Sequence, residues 1–304
     1  TRKLVEQEEV HALVNQVGTA TASAVRKYLN SRKVPQLFVL SGSQNFQDPE
    51  NFPYSTSGLM NYQFEAQVYG KQIVAASPDA KIGVLYQNDD FGKDYVAGLK
   101  AGAGKAVVAE FSYESSDPTV SSQIISLKNA GVDTVLLAAY SKQVSQALRT
   151  MVEMNWKPQV FISHVSAQIH PTLSIVGLDK LVGLRTAMVA KDPTDPTWKD
   201  DPDMKAYVDW MTKYRPGEDL KVSSNASVMA FCAAIAHVLE KAGDDLSREN
   251  ILKQLTQVKD FKAPMLLPGI TMTISPDNYN PFRKVQLMTF DGTRWVPDGE
   301  PVGL

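Results

Sequence analysis

Residues 81–100 read KIGVLYQNDDFGKDYVAGLK. A short apolar and β-branched run from Ile82 is followed by two acids and then by Tyr95, Val96 and Leu99 at helical spacing. The segment therefore predicts a buried strand, a loop and an amphipathic helix, with Asp90 as the expected N-cap. Three later runs repeat the theme: KAVVAEF, DTVLLAA and QVFIS, anchored at Val107, Val135 and Val160. From Ile82 the steps are 25, 28 and 25 residues, each the length of a strand, a helix and two loops. Successive βα units of this kind build a mostly parallel sheet with helices on both faces. An earlier set, VHALVN at residues 10–15 and QLFVL at 36–40 with a helix between them ending near Asn30, predicts a second α/β lobe.

Start signals support these helices. Asp117-Pro118 precedes Val120, Ile124 and Leu127, Ser141 precedes Val144, Leu148 and Met151, and Ser247 with Glu249 precedes Ile251, Leu255 and Val258. Beyond Lys191 the pattern changes to KDPTDPTWKDDPDM, rich in proline and acid, then to three helices and the apolar loop APMLLPGITMTI. VQLMTF at 285–290 and TRWV at 293–296, separated by Asp291-Gly292, predict a terminal hairpin.

Composition narrows the function classes. A chain of 304 residues with 43% apolar and 9% aromatic content has material for two domains and is not disordered. Lys and Arg number 31 against 33 Asp and Glu, so no excess of positive charge points to nucleic acid. The longest apolar stretch, residues 226–239, falls short of the ~20 residues of a membrane span. Cys232 is the single cysteine, which excludes an intrachain disulfide and a multi-cysteine metal site. The chain opens on Thr1 without a signal-peptide pattern, so either a leader has been removed or the front of the protein is absent.

Catalytic constellations are missing. There is no GxSxG, and His11, His164, His170 and His237 form no HExxH. Gly102-Ala103-Gly104 follows a helix and precedes a strand, the reverse of a dinucleotide fingerprint, and reads as a helix-ending turn. No metal site and no cofactor are expected, and the chain is not expected to be an enzyme. What remains lies after strands, where open α/β sheets bind ligands. Thr19, an expected N-cap within Gly18-Thr19-Ala20-Thr21, and the turn Ser41-Gly42-Ser43 are either plain capping chemistry or a seat for a carboxylate or phosphate oxygen. Phe91, Tyr140 and His164 end or follow strands of the second set, as packing residues or as ligand contacts.

These segments, with RKLVEQEEVHALVNQVGTATASAVRKYLNSRKVPQLFVLSGS, DTVLLAAYSKQVSQALR and LLPGITMTISPDNYNPFRKVQLMTFDG, resemble in order and spacing the solute-binding proteins of bacterial ABC importers for branched-chain amino acids and related acids. The resemblance spans the chain and leans toward the branch that carries aromatic and other non-amino carboxylic acids. It implies the type I periplasmic binding fold, two Rossmann-like lobes with parallel sheets joined by a multi-strand hinge. Lobe I would comprise 1–60 and 190–268, without its front, and lobe II 61–189 and 269–304. It further implies a periplasmic protein, not itself membrane-spanning, that delivers a small-molecule carboxylate to an ABC permease. Thr19, Ser41, Gly42 and Ser43 would hold the carboxylate, and Phe91, Tyr140 and His164 would close on it from the second lobe. In the amino-acid binders an acidic residue after the strand matching QVFIS grips the ammonium group; here the loop reads SHVSAQ. A branched-chain amino acid receptor and a ligand-sensing regulator of the same fold are the alternatives.

Overall fold

The computed structural model describes residues 1–303. A short helix α1 (Arg2–Glu6) leads into strand β1 (Leu13–Val14), helix α2 (Thr19–Ser31), strand β2 (Gln36–Val39) and strand β3 (Ser55–Ser57). β1, β2 and β3 form a parallel three-stranded sheet in that order. Every residue of β2 and β3 is buried, as expected where a parallel sheet is covered on both faces. The β2–β3 register shifts at Phe38, which sits at φ +49° and whose amide donates to Thr56 Oγ1 at 3.1 Å. Such a bulge re-aims the side chain, and the Phe38 ring meets Phe231 at 5.8 Å.

Next come α3 (Tyr62–Ala76), β4 (Ile82–Gln87), α4 (Asp90–Ala103), β5 (Val107–Tyr113), α5 (Ser121–Asn129), β6 (Thr134–Ala138), α6 (Ser141–Glu153), β7 (Gln159–Ile162) and β8 (Arg185–Met188). After α7 (Pro202–Tyr214), α8 (Ser223–Ala242) and α9 (Arg248–Leu255), the chain ends in β9 (Gln286–Phe290) and β10 (Trp295–Pro297). The second sheet has the order β10-β9-β8-β7-β6-β4-β5; its pairs from β5 to β8 are parallel and those of β9 and β10 antiparallel. The α/β class with parallel sheets is thus observed, the terminal hairpin making the second sheet mixed. Strand order reverses between β4 and β6, and the crevice at the carboxyl ends of such a switch point is where open α/β sheets bind ligands.

The chain passes between the two sheets more than once. Residues 189–191 and 265–267 run antiparallel, with Lys191 N donating to Met265 O at 2.8 Å and Leu267 N to Val189 O at 2.9 Å. Helices α8 and α9 then return to the first sheet, where Arg248 donates to the carbonyls of Val10 and His11 at 3.0 and 2.9 Å.

Several helix starts differ from expectation by a residue or more. Gly18, not Thr19, is the N-cap of α2, and Asp89, not Asp90, caps α4 by accepting from Gly92 N. Tyr140 is the cap of α6 and Ser141 its first residue. Asp117 caps no helix: its carboxylate accepts from Glu114 N at 2.8 Å, closing a turn, and α5 starts later at Ser121. Ser247 caps α9 as expected, and α4 ends in the Gly102-Ala103-Gly104 turn. Helix α3 and strands β3 and β8 carry no start signal that the sequence reading used.

Gly42 is held against Met60: a Cβ there would lie 1.9 Å from the Met60 carbonyl oxygen. Its own carbonyl accepts from Tyr62 N at 3.0 Å, which sets the entry of α3. Gly42→Ala should lower unfolding stability by about 1–3 kcal/mol through overpacking against backbone. An unchanged thermal midpoint would show that this turn is free to shift.

Candidate functional site

A cavity of about 400 Å³ lies at the carboxyl ends of both sheets. From the first sheet it is lined by Val17, Gly18, Leu40 and Leu59; from the second by Tyr140, His164, Val165, Ala167 and Gln168; from the crossing segment by residues 188–192; and from α8 by Ser223, Ser224, Ser227, Val228 and Phe231. A larger depression of about 550 Å³ is lined by residues that precede β7 and β8, such as Trp156 and Leu184, at the amino ends of those strands. Strand chemistry therefore favours the smaller cavity as the site.

Two helix starts meet here. Gly18 begins α2 at φ +96°, a conformation open to glycine at little cost, and Ser223 is the first residue of α8, whose start has no side-chain cap. The amides of a first helical turn lack intrahelical partners and carry partial positive charge, so the cavity is lined by two anion-favouring helix ends.

Behind Gly18 and Leu40, Thr19 Oγ1 and Ser41 Oγ share a 2.8 Å hydrogen bond, both residues fully buried. Ser41 Oγ also accepts from Ser43 N at 3.2 Å, and Ser43 Oγ accepts from Asn45 N at 3.3 Å to cap the turn that follows. Burial pushes the Tyr62 hydroxyl far above its ordinary range, against bonds with Gly42, Ser41 and Thr19. Burial, then the negative charge of Asp89, pushes Tyr140 up to about 12, against its contacts with Thr19. Tyr140 therefore stays a neutral phenol at physiological pH and spans from the second sheet to Thr19. Phe91 does not line the cavity: it is buried and stacks on Tyr140 at 4.8 Å with an interplanar angle of 23°. The structure thus brings Tyr140 and His164 to the cavity wall, sets Thr19 and the Ser41-Gly42-Ser43 turn directly behind it, and puts Phe91 in support of Tyr140.

His164 is held by a residue the sequence reading missed. Glu65, on α3, has no solvent exposure, and four donors converge on its two oxygens. Oε1 accepts from Tyr69 Oη at 2.6 Å and His164 N at 2.9 Å; Oε2 accepts from Tyr95 Oη and meets His164 Nδ1 at 2.6 Å. With Nδ1 committed to Glu65, His164 Nε2 is left buried and without a partner among the described residues.

Lys191 and Asp192 were also missed, because nothing local in a stretch rich in proline and acid signals burial. Both are buried. Lys191 Nζ is occupied by Asp201 Oδ1 and Oδ2 at 2.8 Å and by Asp203 Oδ2 at 2.9 Å. Asp192 Oδ1 accepts from Thr194 N at 2.8 Å and Thr194 Oγ1 at 2.7 Å, whereas Oδ2 is buried and unpaired among the described residues. Burial raises the Asp192 carboxyl; the Thr194 bonds oppose this and the charge of Asp195 adds to it. An unpaired buried polar atom costs about 1–3 kcal/mol, more when charged. Among the described residues no group of three or more His, Cys, Asp or Glu is placed to hold a metal ion, and no helix is long and apolar enough to cross a membrane.

The profile of a family described as periplasmic binding protein matches residues 1–294. The chain belongs to the periplasmic binding protein family. This periplasmic binding protein is 30% identical to Leu/Ile/Val-binding protein homolog 8 of Brucella abortus over 111 residues, 35% of this chain and 27% of the relative, so the alignment spans about a quarter of that relative's length. Its fold is shared by a branched-chain amino acid ABC transporter protein of Thermus thermophilus solved with bound valine, at a TM-score of 0.84 and 16% identity, covering 100% of this chain and 81% of that one. It is shared too by an ABC transporter solute-binding protein of R. palustris in complex with benzoate, at a TM-score of 0.78 and 15% identity, covering 99% and 81%.

Glu65→Ala would strand the donors of Tyr69, Tyr95 and His164 in the core. It is expected to lower unfolding stability by about 3 kcal/mol or more, with Glu65→Gln milder because it keeps the shape and half of the acceptors. Equal unfolding curves for wild type and Glu65→Ala would remove Glu65 from the architecture of the site.

Proposed function

We propose that this protein is the extracytoplasmic solute-binding component of an ABC importer, closing two lobes over a small carboxylate and presenting it to a membrane permease. Residues 1–60 and 190–268 would move against 61–189 and 269–304 about the crossing segments, in the manner of hinge closure around a ligand. The observation that carries the reading is the cavity between the two sheets, lined by the starts of α2 and α8 and by Tyr140. An anion fits this lining without a free lysine or arginine, since Lys191 is taken by Asp201 and Asp203. Thr19 and the Ser41-Gly42-Ser43 turn would shape the carboxylate end from behind Gly18 and Leu40, and Phe91 would back Tyr140.

The rest of the wall favours an apolar ligand body, aromatic or otherwise non-amino. Leu40, Leu59, Val165, Met188, Val228 and Phe231 supply it, and after β7 the residue at the wall is His164, with no carboxylate in that loop. Micromolar capture needs about 8 kcal/mol. Hydrogen bonds to a charged group supply roughly 1.5–3 kcal/mol each, before the cost of ordering. A buried ring of ~150–250 Å² at ~25 cal/mol per Å² adds about 4–6 kcal/mol, enough to reach that range. The second reading, a branched-chain amino acid, is favoured by the free oxygen of Asp192 and by the valine-bound structural relative.

Calorimetric titration with benzoates, cinnamates, phenylpropanoates and aliphatic amino acids separates the two. Micromolar or tighter binding of an aromatic acid, weakened about tenfold or more by Tyr140→Ala, is the expected result; tight binding of leucine or isoleucine with no aromatic acid bound would overturn the non-amino reading.

A further inference from the structure

Asp192, a residue of the cavity wall, has a buried carboxylate oxygen that no group among the described residues satisfies. Asp192 follows β8 and is only 6% exposed, and one of its oxygens is spent on the Thr194 amide and hydroxyl. The other, Oδ2, is buried and has no hydrogen-bond partner among the described residues. Lys191, its neighbour in the chain, is committed to Asp201 and Asp203. Buried acceptors in native structures are almost always paired. An unpaired buried acceptor on a residue that lines a binding cavity marks where a ligand atom can complete the set. The second orphan on this wall, His164 Nε2, follows β7, the strand that pairs with β8.

We infer that Asp192 is a specificity residue that accepts a hydrogen bond from the ligand, so that the acid captured here carries an N–H or O–H donor besides its carboxylate. The inference rests on the receptor reading given under Proposed function and narrows it. An acceptor-only carboxylate oxygen discriminates sharply, because a ligand lacking the donor leaves it buried and unpaired while a ligand bearing one pairs it. The donor has two chemical sources, a hydroxyl or an ammonium group, and matched pairs of acids distinguish them.

The experiment is calorimetric titration of wild type and Asp192→Asn with 4-hydroxybenzoate against benzoate, and with leucine against 4-methylpentanoate. In one pair the donor-bearing member should bind the wild type about 10- to 100-fold more tightly, as expected for a hydrogen bond to a charged group. Asp192→Asn should erase most of that difference; asparagine keeps Oδ1 for Thr194 and replaces Oδ2 with a donor. A gain in the first pair identifies the hydroxyl and a gain in the second the ammonium. Equal binding of both members of each pair to the wild type overturns the inference and leaves the receptor reading standing, as does an equal loss for both members in the variant. If none of the four acids binds, the receptor reading falls and this inference with it. The wild-type comparison needs no variant, so it decides the matter even if Asp192→Asn folds poorly.

Discussion

Glu65 has no contact with water, yet Tyr69, Tyr95 and the backbone and ring of His164 all converge on it. A carboxylate in that position is costly unless each lone pair is used, and here the bonds tie α3 to α4 and to the loop after β7. Tyr95 also meets Ser163 Oγ at 2.6 Å, and Tyr69 accepts from Ala187 N at 2.6 Å, so the network reaches the ends of β7 and β8. The ring of His164, the end of β8 and the path toward Asp192 are therefore fixed by one buried charge. Fully satisfied polar networks of this kind rigidify a single arrangement.

The opposite wall is set differently, by hydroxyl contacts and aromatic stacking. Thr19 and Ser41 bond each other, Tyr62 and Tyr140 approach them, and Phe91 stacks behind Tyr140 and packs edge-on against Tyr62 at 5.0 Å. Such contacts are individually modest. Around Thr19, Ser41 and Tyr140 the wall thus rests on individually weaker contacts than those converging on Glu65.

The fold was largely legible in the sequence because its signals are local. Strand runs at Ile82, Val107, Val135 and Val160 recur at βα spacing, and β4, β5, β6 and β7 lie where those runs place them. Cap residues were misjudged where two adjacent candidates compete: Asp89 beside Asp90, and Gly18 beside Thr19. The site was legible only in part. Tyr140 and His164 could be read from their places after strands, but Glu65 looks like any helical glutamate, and its partners lie up to 99 residues away in the chain. Asp192 sits in a proline-rich acidic stretch whose burial is created by tertiary packing alone, and Phe91, in the first turn of α4, gives no local sign that it faces Tyr140 and not the cavity.

The central claim is that the cavity between the sheets seats an acid, with its carboxylate toward the starts of α2 and α8. A crystal structure of the protein soaked with its tightest-binding acid tests this most directly. Ligand density is expected in the cavity, with the carboxylate within hydrogen-bond distance of amides at Gly18–Thr19 or Ser223–Ser224 and the apolar body against Leu40, Met188 and Phe231. Density for the acid elsewhere on the molecule, with the cavity filled only by water at saturating ligand, would contradict it.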